Sequence, residues 1–412
     1  MQIAVIGGGA AGFFAAIRCA EQNPACTVTL LEKGGRVLSK VRISGGGRCN
    51  VTHACFDNGR LVQSYPRGGR ELRGPFERFS ARDTVSWFEA RGVTLKVEDD
   101  GRMFPVTDRS ETIVDCLMAA ADHAGVRIVL QSGVRILRPL EEGGFEITLA
   151  SGAVCRFDRV LVATGGSPGR AAYEWLEALG HTIVPPVPSL FTFNLEGHPL
   201  VELAGVSVDP VRVRVEDTRL EQTGPLLITH WGLSGPAILK LSAWGARELF
   251  SRDYAFLLRV NWLPASHEDA LRTAIVAVRL EHSRKQIGTY SPFGLPARLW
   301  RWLVHRAGIS ETVRWAELSQ REQNRLIEGL TRTSLEVRGK STFKEEFVTA
   351  GGVSLKDVDF RTLESRRCPG LFFAGEVLDL DGITGGFNFQ AAWTCGHIAG
   401  THLARVDESS DR

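Results

Sequence analysis

The chain has 412 residues, of which 43% are hydrophobic and 23% are charged, and its formal net charge is +2. This is the composition of an ordinary globular protein, which excludes a fibrous or low-complexity chain, and the length predicts two or three domains. A net charge so close to zero indicates no particular partner.

The cysteines and the N-terminus exclude several further classes. Eight cysteines are scattered without a C-x-x-C pair, so the sequence predicts neither a zinc site nor an iron–sulfur cluster, and no metal is expected. The N-terminus lacks the basic region of a secretory leader. Its uncharged stretch, residues 3–17, is shorter than the roughly 20 residues that cross a bilayer. We therefore expect a cytoplasmic protein with no membrane partner.

The first thirty residues predict a strand, a helix and a second strand. Gln2–Ile6 is a short apolar run that is typical of a buried parallel strand. A helix is predicted over Ala10–Glu21, with small residues on the side that approaches the strand. The second strand, Val28–Leu31, ends in the acidic residue Glu32. This arrangement predicts a dinucleotide-binding unit.

The turn between that strand and helix reads G-x-G-x-x-G, with glycine at Gly7, Gly9 and Gly12. Gly7 permits the tight turn, Gly9 lets backbone N–H groups approach a pyrophosphate, and Gly12 lets the helix pack closely on the sheet. The helix N-terminus adds unpaired donors and a partial positive charge. Glu32 is placed to bind a ribose diol, which favours FAD or NAD over NADP.

Further strands are predicted in the middle of the chain. Val126–Leu130, Val134–Leu137 and Phe145–Leu149 precede a strand that begins at Phe157 and ends in Ala163-Thr-Gly-Gly166. In flavoproteins of the two-dinucleotide-binding type, such a strand closes the sheet under the cofactor. This motif therefore favours FAD over NAD.

The C-terminal region points to the same cofactor. Gly370–Glu376 reads as a strand that ends in Gly-Glu, and a glycine turn follows within Leu378–Gln390. A helix is predicted over Ala391–Ala404. The N-terminus of such a helix stabilises the negative charge that an isoalloxazine gains at N1 and O2 on reduction.

The predicted fold class is α/β, a Rossmann-like FAD-binding domain with an inserted β-barrel-like domain and a helical subdomain. Val206–Val215 and Tyr254–Val260 alternate apolar and polar residues, which indicates antiparallel strands in the insertion. The predicted FAD-binding domain is discontinuous and comprises residues 1–187 and 342–412. The inserted β domain is predicted over residues 188–264, and the helical subdomain over residues 265–341.

Five motifs together resemble the BaiN/YhiN (HI0933-like) family of NAD(P)/FAD-dependent oxidoreductases over nearly the whole chain. They are Ile43–Asn50 (ISGGGRCN), Asp99–Pro105 (DDGRMFP), Thr229–Pro236 (THWGLSGP), Thr349–Val353 (TAGGV) and the C-terminal Gly375–Asn388 block. The resemblance implies bound FAD and, where family members have an assigned activity, reduction of a carbon–carbon double bond or a related oxidoreduction.

The chain departs from that family's usual pattern in two places. The segment after the Ala-Thr-Gly-Gly strand is short, Ser167–Arg170, and lacks the usual Tyr-Pro. His53 stands where the family usually has asparagine. These departures imply a divergent subfamily whose substrate differs from those of better-known members.

The residues expected to contact FAD come from the glycine turns, the ends of strands and the second glycine cluster at Ser44–Asn50. They are Gly7, Gly9, Ala10, Ala11, Gly12, Glu32, Lys33, Gly47, Arg48, Cys49, Asn50, Val134, Ala163, Thr164, Gly165, Gly375, Glu376, Asp381, Gly386, Phe387, Asn388 and Phe389. Arg48 is expected to face a phosphate or the substrate. Asp381 has helix capping as its alternative role.

No catalytic residue is securely identified by the sequence. His230 and Arg48 are the candidates, His230 as a proton donor. Cys49 is interpreted as a packed or backbone-orienting thiol, because the next cysteine, Cys55, is six residues on rather than five as in disulfide reductases. Ser234-Gly-Pro236 is expected to open a helix, with Ser234 as its N-cap.

The segment Arg60–Arg82 has six arginines and two glutamates, with Tyr65, Phe76 and Phe79 interleaved. This pattern suits an anionic partner such as RNA, and its alternative is a solvated charged face.

Together these features predict an FAD-dependent oxidoreductase that passes hydride from NAD(P)H through flavin N5 to an activated C=C bond of a small molecule. Because no second G-x-G-x-x-G is present, NAD(P)H is expected only as a transient reductant. Three alternatives stay open at this point: a flavin-dependent reductase of a base in RNA, an oxygen-using amine oxidase-like enzyme, and a flavin-binding interaction protein without activity. The sequence does not indicate the oligomeric state.

Overall fold

The computed structural model describes residues 1–341 and 348–405. The chain divides into two compact units, one formed by residues 1–189 with 344–412 and the other by residues 190–343. The predicted domain boundary at residue 342 lies outside the described residues, and the three-part division stays a prediction. In the described part of the chain, none of the helices has both the length and the apolar character that a membrane crossing requires.

The first unit is built on a seven-stranded sheet whose central strands are parallel. Its strand order is Val358–Asp359, Glu364–Ser365, Leu371–Phe373, Arg159–Val162, Gln2–Ile6, Thr27–Leu31 and Arg127–Val129. The last five strands are parallel, and the first two are joined in antiparallel fashion. Residues 3–6 are buried, as a parallel strand covered on both faces requires. The predicted α/β fold class is confirmed.

Two helices pack together on this sheet. We call Ala10–Gln22 the N-terminal helix and Phe387–Leu403 the C-terminal helix. A Cβ added at Gly396 would lie 2.7 Å from the carbonyl oxygen of Ala11, so only glycine allows the helices to come this close. The C-terminal helix begins four residues before its predicted start at Ala391. The glycine turn at Gly385 and Gly386 therefore leads directly into the helix.

Smaller elements complete the first unit. Its other helices are Ser39–Gly47, Asn58–Leu61, Gly69–Phe76, Ala81–Glu89, Ser110–His123 and Glu174–Glu177. Thr52–His53, Arg102–Pro105 and Leu95–Val97 form one antiparallel sheet, and Val134–Pro139, Phe145–Leu149 and Val154–Phe157 form another. Ile183–Ser189 pairs with Val348–Val353. The segment Ser39–Gly47 leaves helical geometry at residues 44–46, so its glycine cluster is a turn.

The second unit is a seven-stranded antiparallel sheet with helices. The strand order is Thr333–Arg338, Ala255–Asn261, Ser207–Val215, Glu221–Thr229, Gly232–Ser234, Thr192–Asn194 and Lys340–Ser341. The helices are Pro236–Trp244, Ala246–Ser251, Glu268–Glu281, Ala297–Arg306 and Gln320–Arg332. Burial alternates along the strands, so the period of two read from the sequence reflects one face in the core. Strand residues such as Val213 and helix residues such as Leu303 share one hydrophobic core.

One local prediction in this unit is wrong. The helix that begins at Pro236 has Gly235 as its N-cap rather than Ser234. Ser234 is instead the last residue of a strand that pairs with Leu227. Because its backbone belongs to the sheet, Ser234 lies one residue too early to cap the helix.

Candidate dinucleotide-binding and active site

The glycine turn at residues 7–12 lies at the carboxyl end of the central strand. Gly7 has φ +114°, and a Cβ there would overlap the carbonyl oxygen of Ala163 on the neighbouring strand. A Cβ at Gly12 would overlap the carbonyl oxygen of Gly7. The turn is therefore compressed between two strands and the N-terminal helix, and neither position accommodates a side chain.

Gly9 lies in open space, in contrast to Gly7 and Gly12. Within the described ranges, no atom comes within 4 Å of a Cβ built at Gly9. Gly9 is the N-cap of the N-terminal helix, which has no side-chain cap and no acidic residue in its first turn. The first intrahelical bond runs from the N–H of Phe13 to the carbonyl of Gly9, at 3.0 Å. The start of this helix therefore presents amide donors and a positive dipole end to an anion, as a pyrophosphate requires.

Glu32 lies beside this turn, at the end of the second strand. Its carboxylate accepts hydrogen bonds from the N–H of Gly8 at 2.8 Å and of Gly34 at 2.7 Å. Each oxygen of the Glu32 carboxylate keeps a second lone pair, which can accept a hydrogen bond from a hydroxyl group. Glu32 thus supports the turn and is positioned where the sequence predicts contact with a ribose.

Replacing Glu32 with glutamine is expected to weaken FAD binding by about tenfold to a hundredfold, since it removes the charge from hydrogen bonds to a carboxylate. FAD titration of the apoprotein measures the effect. Glu21→Gln is the matched control, because Glu21 forms an exposed ion pair with Arg91. Equal FAD affinities for the two variants would contradict the assigned role.

The predicted contacts at Lys33 and Val134 lie close together beyond Glu32. Lys33 is exposed, and Val134 opens the strand Val134–Pro139. A Cβ at Gly133 would lie 3.4 Å from the Cβ of Lys33. The strand that begins at Val134 therefore starts close to Lys33.

The Ala163–Gly166 segment meets Glu376 and Thr349 at the next strand end. A Cβ at Gly166 would lie 2.5 Å from Oε1 of Glu376 and 2.8 Å from Thr349. Glu376 accepts hydrogen bonds from the N–H of Thr349 at 2.8 Å and from Lys40 Nζ at 3.1 Å. Sequence reasoning did not identify Lys40 and treated Thr349 only as part of a family motif.

Thr349 has a buried hydroxyl for which the described residues provide no hydrogen-bond partner. The side chain is fully buried, and Oγ1 is without a donor or acceptor. A buried hydroxyl left in this state costs about 1–3 kcal/mol. The orphaned hydroxyl, the open space at Gly9 and the uncapped helix are all features that a bound dinucleotide cofactor would satisfy, so the residues present fit FAD.

The C-terminal helix begins at a turn held by several hydrogen bonds. Gly386 is its N-cap, and no side chain caps it. Asn388 accepts from the N–H of Gly382 at 2.8 Å and donates to the carbonyl of Gly382 at 2.9 Å. Tyr65 donates its hydroxyl to the carbonyl of Phe387 at 2.7 Å. The helix N-terminus is thus held rigid near the ends of the parallel strands.

Asp381 has protein partners that the sequence did not reveal. Its carboxylate forms an ion pair with Arg67 and accepts the hydroxyl of Ser189 at 2.7 Å. Burial raises the pKa of Asp381, and Arg67 and Ser189 lower it in part. The alternative of helix capping is wrong, because Gly386 occupies the cap position. Asp381 instead holds the loop before the C-terminal helix against Arg67.

The second glycine cluster forms a run of left-handed residues. Gly45, Gly46 and Gly47 have φ of +59°, +69° and +82°, a conformation that favours glycine. Asn50 follows this run. When its side-chain amide is oriented so that the nitrogen donates to the carbonyl of Thr52, the amide oxygen accepts a hydrogen bond from the N–H of Gly386 at 3.0 Å. This bond joins the cluster to the start of the C-terminal helix, about 340 residues away in sequence.

Arg48, which is predicted to face a phosphate or the substrate, has protein partners in the structure. Its guanidinium donates to Glu98 at 2.6 Å, lies 3.6 Å from Asp108 and stacks 4.0 Å above the ring of Phe104. The hydrogen bond to Glu98 raises the pKa of Arg48. These partners leave it a structural role in this conformation.

Cys49 is fully buried, and burial raises the pKa of its thiol to about 12. Burial also raises the pKa of Cys55. Since the thiolate is the reactive form, neither residue is prepared for redox chemistry near neutral pH. This agrees with the interpretation of Cys49 as a packed thiol.

The variants Cys49→Ser and Cys55→Ser are each expected to retain the rate of flavin reduction within about a factor of two, because neither thiol ionises at working pH. Rapid-mixing absorbance measurements on the FAD-loaded proteins test this. A folded Cys49→Ser protein that loses more than about tenfold in rate would show that the thiol takes part after all.

His230 belongs to the second unit. It is exposed in the two-residue turn His230–Trp231 between paired strands. Thr229 closes this turn by exchanging hydrogen bonds with Gly232 at 3.1 Å. These hydrogen bonds account for the shape of the turn without a catalytic role for His230, and His230 as a proton donor stays a prediction.

The arginine-rich segment differs from its predicted form. Tyr65, Phe76 and Phe79 are buried in the core of the first unit, so they are not available for stacking on bases. Arg67 pairs with Asp381. Arg60, Arg70, Arg73, Arg78 and Arg82 remain exposed. The segment therefore retains its surface charge but has no row of exposed aromatic rings.

Known proteins match the chain over almost its full length. A family model described as HI0933-like protein Rossmann domain matches residues 1–402. The 3-dehydro-bile acid Δ(4,6)-reductase of Clostridium scindens is 30% identical, covering 98% of this chain and 99% of that protein. A ribosomal RNA dihydrouridine synthase of Escherichia coli is 32% identical, covering 95% of this chain and 94% of that protein.

Solved structures share the fold at low identity. The 3-ketosteroid-Δ4-(5α)-dehydrogenase of Rhodococcus jostii gives a TM-score of 0.52 at 16% identity, covering 98% of this chain and 97% of that chain. A flavocytochrome c3 fumarate reductase gives a TM-score of 0.50 at 17% identity, and the match covers 98% of this chain and 78% of that chain. At such identities the likeness shows the fold alone.

Proposed function

Because the chain belongs to the HI0933-like family and is an FAD-dependent oxidoreductase, we propose that it reduces a carbon–carbon double bond conjugated to a carbonyl group, with NAD(P)H as the electron donor. The substrate is proposed to be a small molecule. FAD, when bound, supplies the hydride-transferring ring system for this reaction.

The observation that carries the proposal is the 30% identity, over nearly both full lengths, to a Δ(4,6)-reductase of a 3-dehydro bile acid. In such a substrate, double bonds at positions 4 and 6 are conjugated with the 3-oxo group. The second relative's product, dihydrouridine, is uridine with a reduced double bond that was likewise conjugated to a carbonyl. Both names therefore describe one chemical class of reaction, which supports the proposal.

The proposal assigns distinct tasks to the two helix ends in the first unit. The N-terminal helix, starting at Gly9, holds the diphosphate by amide donors. The C-terminal helix, starting at Gly386, places its positive dipole end where negative charge develops on the reduced ring. Thr349 donates its otherwise unsatisfied hydroxyl to the cofactor. The remaining FAD contacts predicted from the sequence are proposed on the same basis.

Anaerobic stopped-flow mixing with NADH and with NADPH tests the electron donor. We expect at least one of them to bleach the flavin absorbance, and addition of a conjugated enone to restore it. A saturated ketone of the same skeleton is the matched control and should leave the flavin reduced. If neither NADH nor NADPH bleaches the flavin faster than buffer does, the assignment of NAD(P)H as the electron donor is wrong. If the enone does not restore the flavin absorbance, the proposed substrate class is wrong.

Reduction of a base in RNA is the second candidate, favoured by the 32% identity to a ribosomal RNA dihydrouridine synthase. Mass spectrometry of ribosomal and transfer RNA from a deletion strain would reveal a missing reduced base, and unchanged RNA would count against it. An amine oxidase-like activity would instead produce peroxide from simple amines without NAD(P)H.

A further inference from the structure

A groove in the first unit is not part of the proposed FAD site. It has a volume of about 620 Å³ and lies between the helix Gly69–Phe76 with Arg78 and the segment 355–366. We call it the cationic groove. It is independent of the proposed reaction, because none of its lining residues belongs to the predicted FAD contacts.

Positive charge exceeds negative charge in the cationic groove. Its charged lining residues are Arg78, Lys356, Arg361, Arg366, Glu71 and Asp359. Asp359 is shared, since it lies 2.7 Å from Arg361 and 3.7 Å from Arg366. The lining therefore contains four cations and two carboxylates, and one of the carboxylates, Asp359, already forms ion pairs with two of the arginines.

Arg78 is only weakly compensated by its neighbours. Within the described residues its guanidinium makes a long hydrogen bond of 3.4 Å to the carbonyl of Phe360. Burial lowers the pKa of Arg78, and the like charge of Arg405 lowers it further. A cation that lies beside another cation gains more than an isolated one from an incoming anion, because the anion relieves the repulsion between them.

The rest of the lining is apolar. Pro75, Leu355, Val358 and Phe360 contribute to the wall of the cationic groove. Pro75 and Val358 are buried, and Phe360 is half-buried. A ligand that matches both parts of the lining has an anionic group and a flat apolar or aromatic portion, and a volume of this size holds one small molecule.

One part of the cationic groove, at Arg78, lies near the C-terminal end of the C-terminal helix. Arg78 is near Arg405, which follows the last turn of the C-terminal helix. That helix has 17 residues, so its two ends are roughly 25 Å apart at 1.5 Å per residue. Its N-terminus faces the proposed FAD ring.

We propose that the cationic groove is a second binding site, separate from the FAD site, for a nucleoside diphosphate. Arg78 and Lys356 bind its phosphates, with Arg361 and Arg366 at the edge, and the base packs on Phe360. A single nucleotide is favoured over an RNA strand, because the groove has room for only one small molecule.

Calorimetric titration of the FAD-saturated protein with ADP tests this proposal, because the dinucleotide site is then already filled. We expect ADP to bind more tightly than AMP, and adenosine to show no binding. Arg78→Gln/Lys356→Gln should weaken ADP binding by at least about tenfold. Arg70→Gln/Arg73→Gln is the matched control: it removes the same charge from exposed positions outside the groove and should bind ADP like the wild type.

A gain of affinity provides a test that loss of folding cannot imitate. Asp359→Asn should tighten ADP binding by a few-fold, because it frees Arg361 and Arg366 from their shared carboxylate. The proposal is overturned if the wild type does not bind ADP, or if both double variants weaken it equally. It is also overturned if a short oligouridylate binds and ADP fails to displace it. Flavin absorbance of each variant confirms that the FAD site is intact.

Discussion

Gly12→Ala is expected to abolish stable FAD binding and to lower the free energy of unfolding of the apoprotein by about 1–3 kcal/mol or more. A Cβ at this position would overlap the carbonyl oxygen of Gly7, which is backbone and cannot move aside as a flexible side chain would. To relieve the overlap, the N-terminal helix must shift away from the sheet. The amide donors at its start then move out of register with the pyrophosphate.

Gly9→Ala is the matched control for this prediction, because it adds the same methyl group three residues earlier. The space at Gly9 is open to 4 Å in the described part of the molecule, and its φ of −89° suits alanine. The apoprotein should lose about 1 kcal/mol or less. FAD binding should still weaken by about tenfold, since the methyl group occupies the approach of the phosphates.

Denaturant unfolding of the apoproteins and FAD titration separate these two effects. The expected pattern is a loss of stability and binding in Gly12→Ala, and a loss of binding alone in Gly9→Ala. Equal stabilities of the two apoproteins would refute the packing argument for Gly12. Undiminished FAD affinity in Gly9→Ala would place the pyrophosphate elsewhere.

Arg67→Met is expected to destabilise the protein by about 3–5 kcal/mol at neutral pH, because it leaves the buried carboxylate of Asp381 without its cation. The double variant Arg67→Met/Asp381→Asn should recover much of that loss, since it removes the uncompensated charge as well. Denaturant unfolding of the wild type, the single variants and the double variant measures the coupling.

The pH dependence of Arg67→Met follows from the direction of the pKa shift. Burial raises the pKa of Asp381 even with Arg67 present, and removal of Arg67 raises it further. A carboxyl group with a raised pKa in the folded state stabilises the fold below its unfolded pKa, and this contribution is lost as the pH rises through the folded pKa.

The loss of unfolding free energy in Arg67→Met, relative to the wild type, should therefore be larger at about pH 8 than at about pH 5. The double variant carries no ionisable group at position 381, so the difference in stability between it and the wild type should change less over this range. A single variant whose defect grows toward acid pH would show that Asp381 is not the group responsible.

Local patterns in the sequence were sufficient for the elements that bind a dinucleotide. Gln2–Ile6 is a strand with the predicted bounds, and the N-terminal helix differs by one residue at its end. The signals were strong because each depends on neighbouring residues: apolar runs, glycine at fixed spacing and an acid at a strand end. FAD as the cofactor followed from the Ala163–Gly166 strand and the C-terminal glycine block, and the family from five motifs, that block among them; both are confirmed.

The partners of charged and polar side chains were decided by the tertiary structure. Asp381 meets Arg67, which is distant in sequence, and Arg48 meets Glu98. Tyr65 and its neighbouring aromatics, which a linear reading placed on a surface, belong to the core.

The sequence by itself thus determined the α/β fold, the glycine turns and the cofactor, because backbone conformation and burial period are encoded over short stretches. Only the tertiary structure decided which charges pair, which hydroxyl is left unsatisfied at Thr349 and where the cationic groove forms. These features depend on segments far apart in the chain, and the free energy of a buried charge is set by whatever packing places beside it.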